Sequence, residues 1–194
     1  KRVILYKAQS VFSGIQPARY CAAKLVYDLC SRITDLSDLD WVASIGIIGD
    51  VASPQWKDFL ENVFKKYKIK TNKDDWFHTK MGRVASIINS LDCFGTQYVK
   101  KSFDTLYAAK SYKEILKSDL VKYEKIISKE ISLWIKGVDK NAEIYPELEL
   151  IYYEIKPKYH VKSAISTVLS FKYPGKTLIV VGMDELEEIV ISGR

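Results

Sequence analysis

The sequence predicts an α/β chain in which a helix-rich part is joined by a long helix to a small α/β unit, and three observations carry that reading. Apolar residues recur at helical spacing from Tyr20 to Ile135. The stretch Gly137 to Pro146 then breaks the pattern and reads as a linker. Beyond it, short β-branched runs alternate with one helical segment. The expected domains are therefore 1–117, mostly helical, 118–146, a connector helix with its linker, and 147–194, an α/β unit that stops in mid-fold.

Size and composition bound the possibilities. At 194 residues the chain suits one ordinary domain or two small ones. A compact chain of that size buries roughly 70% of its unfolded surface and needs no disulfide or metal staple. Hydrophobic content of 47% beside 28% charged residues describes a globular protein rather than a disordered tail. The net charge of +6 favours an anionic partner without demanding one. Lysine far outnumbers arginine, a weak hint of a heat-adapted source. Cys21, Cys30 and Cys93 match no zinc spacing and read as reduced thiols of a cytoplasmic protein. No apolar run is long enough to span a bilayer, so no membrane partner is expected. Lys1 is not a natural start, and upstream sequence is expected.

Taken in order, Val3–Tyr6 is short and β-branched and reads as a strand. Pro17 opens a helical stretch that runs to Cys30. Asp38 and Asp40 stand before the apolar run Trp41–Ile48, where an Asp ordinarily caps a helix by accepting bonds from first-turn N–H groups. The run ends at Gly46-Ile47-Ile48-Gly49-Asp50, where two glycines permit close backbone approach. Ser53-Pro54 reads as a cap followed by proline at the first helical position. Trp56, Phe59, Leu60, Val63 and Phe64 form its apolar face. Met81–Leu91 predicts another helix, punctuated by Gly95, and Phe103–Ala108 a further one. Ser118–Ile135 predicts the long helix, with Leu120, Tyr123, Ile127, Ile131 and Trp134 on one stripe. In the last part Leu148–Ile155 reads as a strand, His160–Lys172 as a helix, and Thr177–Val181 and Leu186–Ile191 as strands around a turn at Gly182–Glu185.

Catalytic patterns are sparse. His78 and His160 have no partner at ligand spacing and read as structural residues. No Walker loop, dinucleotide fingerprint or nucleophile elbow is present. Asp38-Leu39-Asp40 has the form D-x-D, but its place before a helix favours capping.

Two elements say more. Gly46-Ile47-Ile48-Gly49-Asp50-Val51-Ala52 is followed further along by Ile88-Asn89-Ser90-Leu91-Asp92-Cys93-Phe94-Gly95. In this order and spacing they resemble the DHH phosphoesterase superfamily, and within it the RecJ single-strand exonucleases. Those proteins carry a G-x-I-G-D element whose Asp binds manganese, then an N-A-x-G-R-x-G element. The resemblance implies that Ala22–Tyr27 is the helix following the DHH box, that Ser118–Ile135 is the inter-domain connector, and that the C-terminal part is a DHH-associated domain. The helix-rich part would then be the remnant of a DHH domain.

The departures from the pattern shape the expected function. Only Asp50 matches a metal-binding acid, and one carboxylate cannot hold a two-metal phosphoester centre. Asp50 is thus expected as a vestigial ligand or a carboxylate closing a Gly turn. Asp92 and Cys93 stand where the family has Gly and Arg. The resemblance is therefore strongest to the catalytically inactive branch, typified by the replication factor cell-division-cycle protein 45. It implies a non-catalytic archaeal replication-fork scaffold that binds the GINS complex and the MCM helicase, without a cofactor. The alternative is a fragment of a manganese-dependent single-strand exonuclease.

Single-stranded DNA enters as an expected partner through the C-terminal unit. From Lys156 to Lys176 there are five lysines and no acid. Val161, Ala164, Ile165, Val168 and Leu169 are expected to face the core. Lys162, Ser163, Ser166 and Ser170 are expected on the opposite side, where lysine and small hydroxyls position phosphates. Lys156 and Lys158 extend this surface, and Tyr159 or Tyr173 can stack a base. Ser192-Gly193-Arg194 resembles the family's glycine/arginine strand, which implies a DNA contact at Arg194. Asp184, Glu185, Glu187 and Glu188 form an acidic turn suited to a basic protein surface. Lys65, Lys66, Lys68, Lys70 and Lys73 around Tyr67 read as a solvated loop.

Overall fold

A computed structural model of the chain describes residues 7–8, 14, 19–71, 75–183 and 189–194. The expected strand Val3–Tyr6, Pro17, Lys73 and the acidic turn from Asp184 to Glu188 lie outside them. The fold mixes helices with one four-stranded sheet, as the α/β reading requires. The chain forms two compact units, one of Lys1–Asn89 with Thr105–Ser118, the other of Ser90–Asp104 with Asp119–Arg194.

The first unit is helical. It contains α1 (Ala22–Cys30), α2 (Asp40–Gly49), α3 (Lys57–Lys66), most of α4 (Lys80–Asp92), the end of α5 (Thr96–Ala108) and the short α6 (Tyr112–Ile115). Helix α2 is apolar nearly all round, and such a helix must be enclosed. Trp41, Ala43, Ile45, Ile47 and Ile48 are all buried. Each fully buried Ile contributes about 1.5–3 kcal/mol by leaving water. Leu60, Val63 and Phe64 supply the buried face of α3, and Phe64 meets Trp76 edge-on at 5.3 Å between centroids. Helix α6 was not legible from periodicity, since one turn carries no repeat.

Three local expectations are corrected here. The residue preceding α2 is Leu39, without a side-chain cap, and Asp38 lies in the 3-10 turn Ser37–Leu39. Asp40 is instead the first residue of α2, buried, and accepts a hydrogen bond from Lys66 Nζ at 2.8 Å. A long-range ammonium offers more to a buried carboxylate than the helix's own N–H groups. Ser53-Pro54 does not open α3, which begins at Lys57; Ser53 is buried in the preceding turn. Thr79 is the side chain that does cap a helix, its Oγ1 accepting the Gly82 N–H at 3.0 Å.

The second unit holds the end of α4, the start of α5, α7 (Val121–Asn141), β1 (Glu143–Tyr145), β2 (Leu150–Ile155), α8 (Lys162–Lys172), β3 (Thr177–Met183) and β4 (Ile189–Gly193). The sheet order is β1-β2-β3-β4. Strands β2 and β3 are parallel, as their crossover through α8 requires. Both outer pairs are antiparallel. Along β2, Ile151, Tyr153 and Ile155 point to one face and join Leu178 and Val180 of β3 in the core. Ile165 and Leu169 of α8 and Ile127 and Val138 of α7 cover that face. The expected linker at Gly137–Pro146 is not a free segment. Helix α7 continues to Asn141, and Glu143–Tyr145 pairs as an edge strand. Val138 is the reason, because its burial carries the apolar stripe one turn further than Ile135.

Candidate functional site

In the first unit the two elements that resemble DHH motifs meet. Gly49 lies so near Asn89 that a Cβ added to it would stand 3.3 Å from the Asn89 Nδ2. Asp50 follows as the residue closing α2, its N–H donating to the Gly46 carbonyl at 3.0 Å. Its side chain has no hydrogen-bond or ion-pair partner among the described residues and remains solvent-accessible. Desolvation by the surrounding protein raises its pKa above the usual carboxylate value. The Cys21 thiol is also raised, chiefly by burial, with Asp50's charge adding to the effect. Val51 next takes a φ of +56°, a conformation costly for a β-branched residue.

Among the described residues no group of three or more His, Cys, Asp or Glu is placed to hold a metal ion. The manganese centre that the resemblance implies thus does not fit the described residues, which offer Asp50 alone. His78 pairs with Asp75 through Nδ1 at 2.8 Å on an exposed surface. His160 donates its backbone N–H to the Cys93 carbonyl at 3.0 Å. Asp92 is exposed, whereas Cys93 is half-buried and its thiol is pushed up to about 11 by burial and the Asp92 charge.

In the second unit the structure gathers part of the proposed phosphate surface. Arg194 donates through one guanidinium nitrogen to Ser163 Oγ and Thr167 Oγ1, each at 3.3 Å. Among the described residues it faces only neutral oxygens. Lys156 and Lys158 are exposed. Ser166 and Lys162 need correction: Ser166 is wholly buried and Lys162 is 8% exposed. Of the expected core face, Val161, Ile165 and Leu169 are buried, whereas Val168 points outward. The cause is local. Gly182 has no side chain, and the Lys162 stem fills that space: a Cβ on Gly182 would lie 2.9 Å from Lys162 Cδ. Ser166 shares a 2.8 Å hydrogen bond with Ser192 on β4. This bond ties α8 to the strand that ends at Arg194.

Thr167 was missed by sequence reasoning, although it lies one turn beyond Ser163 on the same helix face. Its hydroxyl donates to the Ser163 carbonyl at 2.8 Å, so it serves Arg194 as an acceptor and has no hydrogen left for an incoming oxyanion. Arg194 and the Ser163 hydroxyl remain as donors. The Tyr173 hydroxyl donates to Asp139, which Lys172 also reaches at 2.8 Å. Tyr159 stands in a different setting, with Lys158 Nζ 5.6 Å above its ring.

No protein-family model matches the chain, and comparison with the curated proteins gives no match either. Among the described residues no helix is long and apolar enough to cross a membrane.

Proposed function

We propose that this chain is a RecJ-like binding module of the replication fork, a non-catalytic scaffold that contacts the GINS complex and the MCM helicase and gives single-stranded DNA a weak hold. The DNA part is carried by one observation. Arg194, braced by Ser163 and Thr167 and facing no carboxylate among the described residues, offers a planar fork of donors to a phosphate. Lys156 and Lys158, both exposed, add positive charge a short way before Ser163 in sequence. The approach of Gly49 to Asn89 supports the DHH ancestry, because it brings together the two elements that carry the resemblance.

Fluorescence anisotropy with a labelled single strand at two salt concentrations tests the DNA contact. Arg194→Glu is expected to weaken binding and to flatten the log–log salt slope by roughly 0.7, the contribution of one phosphate on a single strand. Unchanged affinity and slope in the folded variant would count against the site. Co-elution with purified GINS or MCM tests the scaffold role, and failure to associate with either would sink it.

The exonuclease reading keeps a specific support, the exposed carboxylate of Asp50, which has no hydrogen-bond or ion-pair partner among the described residues. Manganese-dependent loss of single-stranded DNA that vanishes in Asp50→Ala would favour it over the scaffold.

A further inference from the structure

We propose that the exposed side of α7 is a docking face for an acidic amphipathic helix of a partner protein. The inference stands apart from the Arg194 contact and from the DHH resemblance. Helix α7 turns one side to the core of the second unit, where Ile127 and Val138 are buried and Ile131, Trp134 and Ile135 pack against that core. The opposite side, within about 60° of a single line along the helix, carries Lys125, Lys129, Lys136 and Lys140 with Ile126 and Leu133 among them. All six are exposed, Ile126 to 41% and Leu133 to 64%. From Ile126 to Lys140 the steps along this row are three, four, three and four residues, the spacing by which one helix meets another along a seam. The row is about 22 Å long.

A helix face that meets only water ordinarily mixes its signs, because Glu and Lys four residues apart attract one another. Here Lys125 and Lys129, and again Lys136 and Lys140, stand four apart and repel. Helix α7 has three acids, and none lies on this side. Glu124 is on the side turned to the core, Glu130 accepts the Lys158 N–H and the Trp134 indole, and Asp139 is held by Lys172 and Tyr173. Lys122 opens the same row but is drawn to Asp119 at 3.7 Å. The four lysines beyond it have no hydrogen-bond or ion-pair partner among the described residues.

The pattern selects the occupant. A second copy meeting α7 through the same side would set lysine against lysine. A nucleic acid would match the charge but make no use of Ile126 and Leu133 near the centre of the row. A membrane surface takes a broad apolar face, and α7 spends its own on the core. A helix with acids opposite the lysines and leucine opposite Ile126 and Leu133 satisfies charge and apolar surface together. One helix face is small for an interface, so the complex is transient.

The test uses the full chain and a fluorescent helical peptide that repeats leucine and glutamate at that spacing, beside an isomer with its glutamates moved to the far side. The parent is expected to bind the first about tenfold tighter than the isomer at low salt. Lys129→Glu/Lys136→Glu should cut that affinity about tenfold, and a peptide with lysine for every glutamate should prefer the variant to the parent. Leu133→Ser should weaken the acidic peptide about fivefold, a loss that charge attraction alone would not show. A thermal melt checks that each variant folds, and Leu133→Ser decides alone if the double variant does not. Equal affinity for the two isomers, or unchanged affinity in the folded variants, overturns the proposal. Binding of a labelled single strand or of phosphatidylserine vesicles that Lys129→Glu/Lys136→Glu abolishes, with the peptide left unbound, overturns it too and gives the face to a polyanion. Binding of none of these shows a row that meets only water and refutes the docking face. The Arg194 contact is judged by its own measurement in each case.

Discussion

Gly46 of α2 lies so close to Ala23 of α1 that a Cβ built on it would stand 2.2 Å from the Ala23 Cβ. No side chain fits at that crossing, and the two helices meet backbone to methyl. Three residues on, Gly49 plays the same part more loosely against Ala85 and the Asn89 amide of α4. The paired glycines that read as places of close approach thus serve helix packing inside the first unit, and Asp50 inherits its position from them.

Gly46→Ala should destabilise the chain by about 1–3 kcal/mol, because a rigid Cβ meets another Cβ and the helices must separate. That cost exceeds the roughly 1 kcal/mol which alanine gains over glycine in a helix. Ala23→Gly placed in the same chain should recover most of the loss. In Gly49→Ala the new Cβ meets the end of the Asn89 side chain at 3.3 Å and Ala85 at ordinary contact distance, so the variant should stay within about 1 kcal/mol of the parent. Urea denaturation of the four proteins measures all of this.

Alkaline pH should weaken the first unit through its tyrosines. Tyr20 is held well above its ordinary pKa by burial and by the hydrogen bond its hydroxyl donates to Asp28 at 2.5 Å. Tyr67 is raised too, by burial and then by Asp40. A phenol whose pKa rises on folding keeps its proton more tightly in the folded state. The stability it lends is complete below the unfolded value near 10 and is lost as pH climbs past it. The denaturation midpoint should fall from about pH 10 upward. Tyr20→Phe should flatten that fall, and Tyr20→Phe/Tyr67→Phe should flatten it further. An equally steep decline in the double variant would refute the assignment.

Periodicity carried most of the fold. Helices α2, α4 and α7 and strands β2 and β3 are long or strongly patterned, and their residues announce them. What it could not carry were contacts between distant residues. Asp40 looked like a cap because its partner Lys66 lies far along the chain. The face of α8 was misjudged because the sequence does not show that Gly182 leaves room for the Lys162 stem. Of the candidate site, Ser163 was named from its helix face and Arg194 on resemblance, and the fold places them in contact. Thr167 lies one turn beyond Ser163, but nothing in the sequence shows that its hydroxyl braces Arg194.

Cys93 should behave as a protected thiol. Its pKa near 11 leaves only a trace of thiolate around neutrality, and the thiolate is the reactive form. In a Cys21→Ala/Cys30→Ala background, labelling by a disulfide reagent should be about a hundredfold slower in the folded chain than in denaturant. Comparable rates in the two states would show that burial does not govern this site.

The Asp40–Lys66 pair offers a separate check on how the first unit is held. Asp40 is buried, and one carboxylate oxygen, Oδ1, has no hydrogen-bond partner among the described residues. The other accepts Lys66 Nζ, which also donates to the Ser37 carbonyl and stands 5.2 Å from the Tyr67 ring centre. Removing the ammonium leaves a buried charge with nothing to offset it, and that ordinarily costs about 3–5 kcal/mol. Lys66 is itself 45% exposed, so water screens the pair, and Lys66→Met should cost about 1–3 kcal/mol instead. Asp40→Asn removes the charge and keeps the shape, so it should cost less than Lys66→Met. The double variant should then be more stable than Lys66→Met alone, because no charge is left without its partner. Chemical denaturation around this mutant cycle gives the coupling directly. Strictly additive losses would mean that the ammonium and the carboxylate act independently, and that apolar packing of α2 against α3 holds this corner without them.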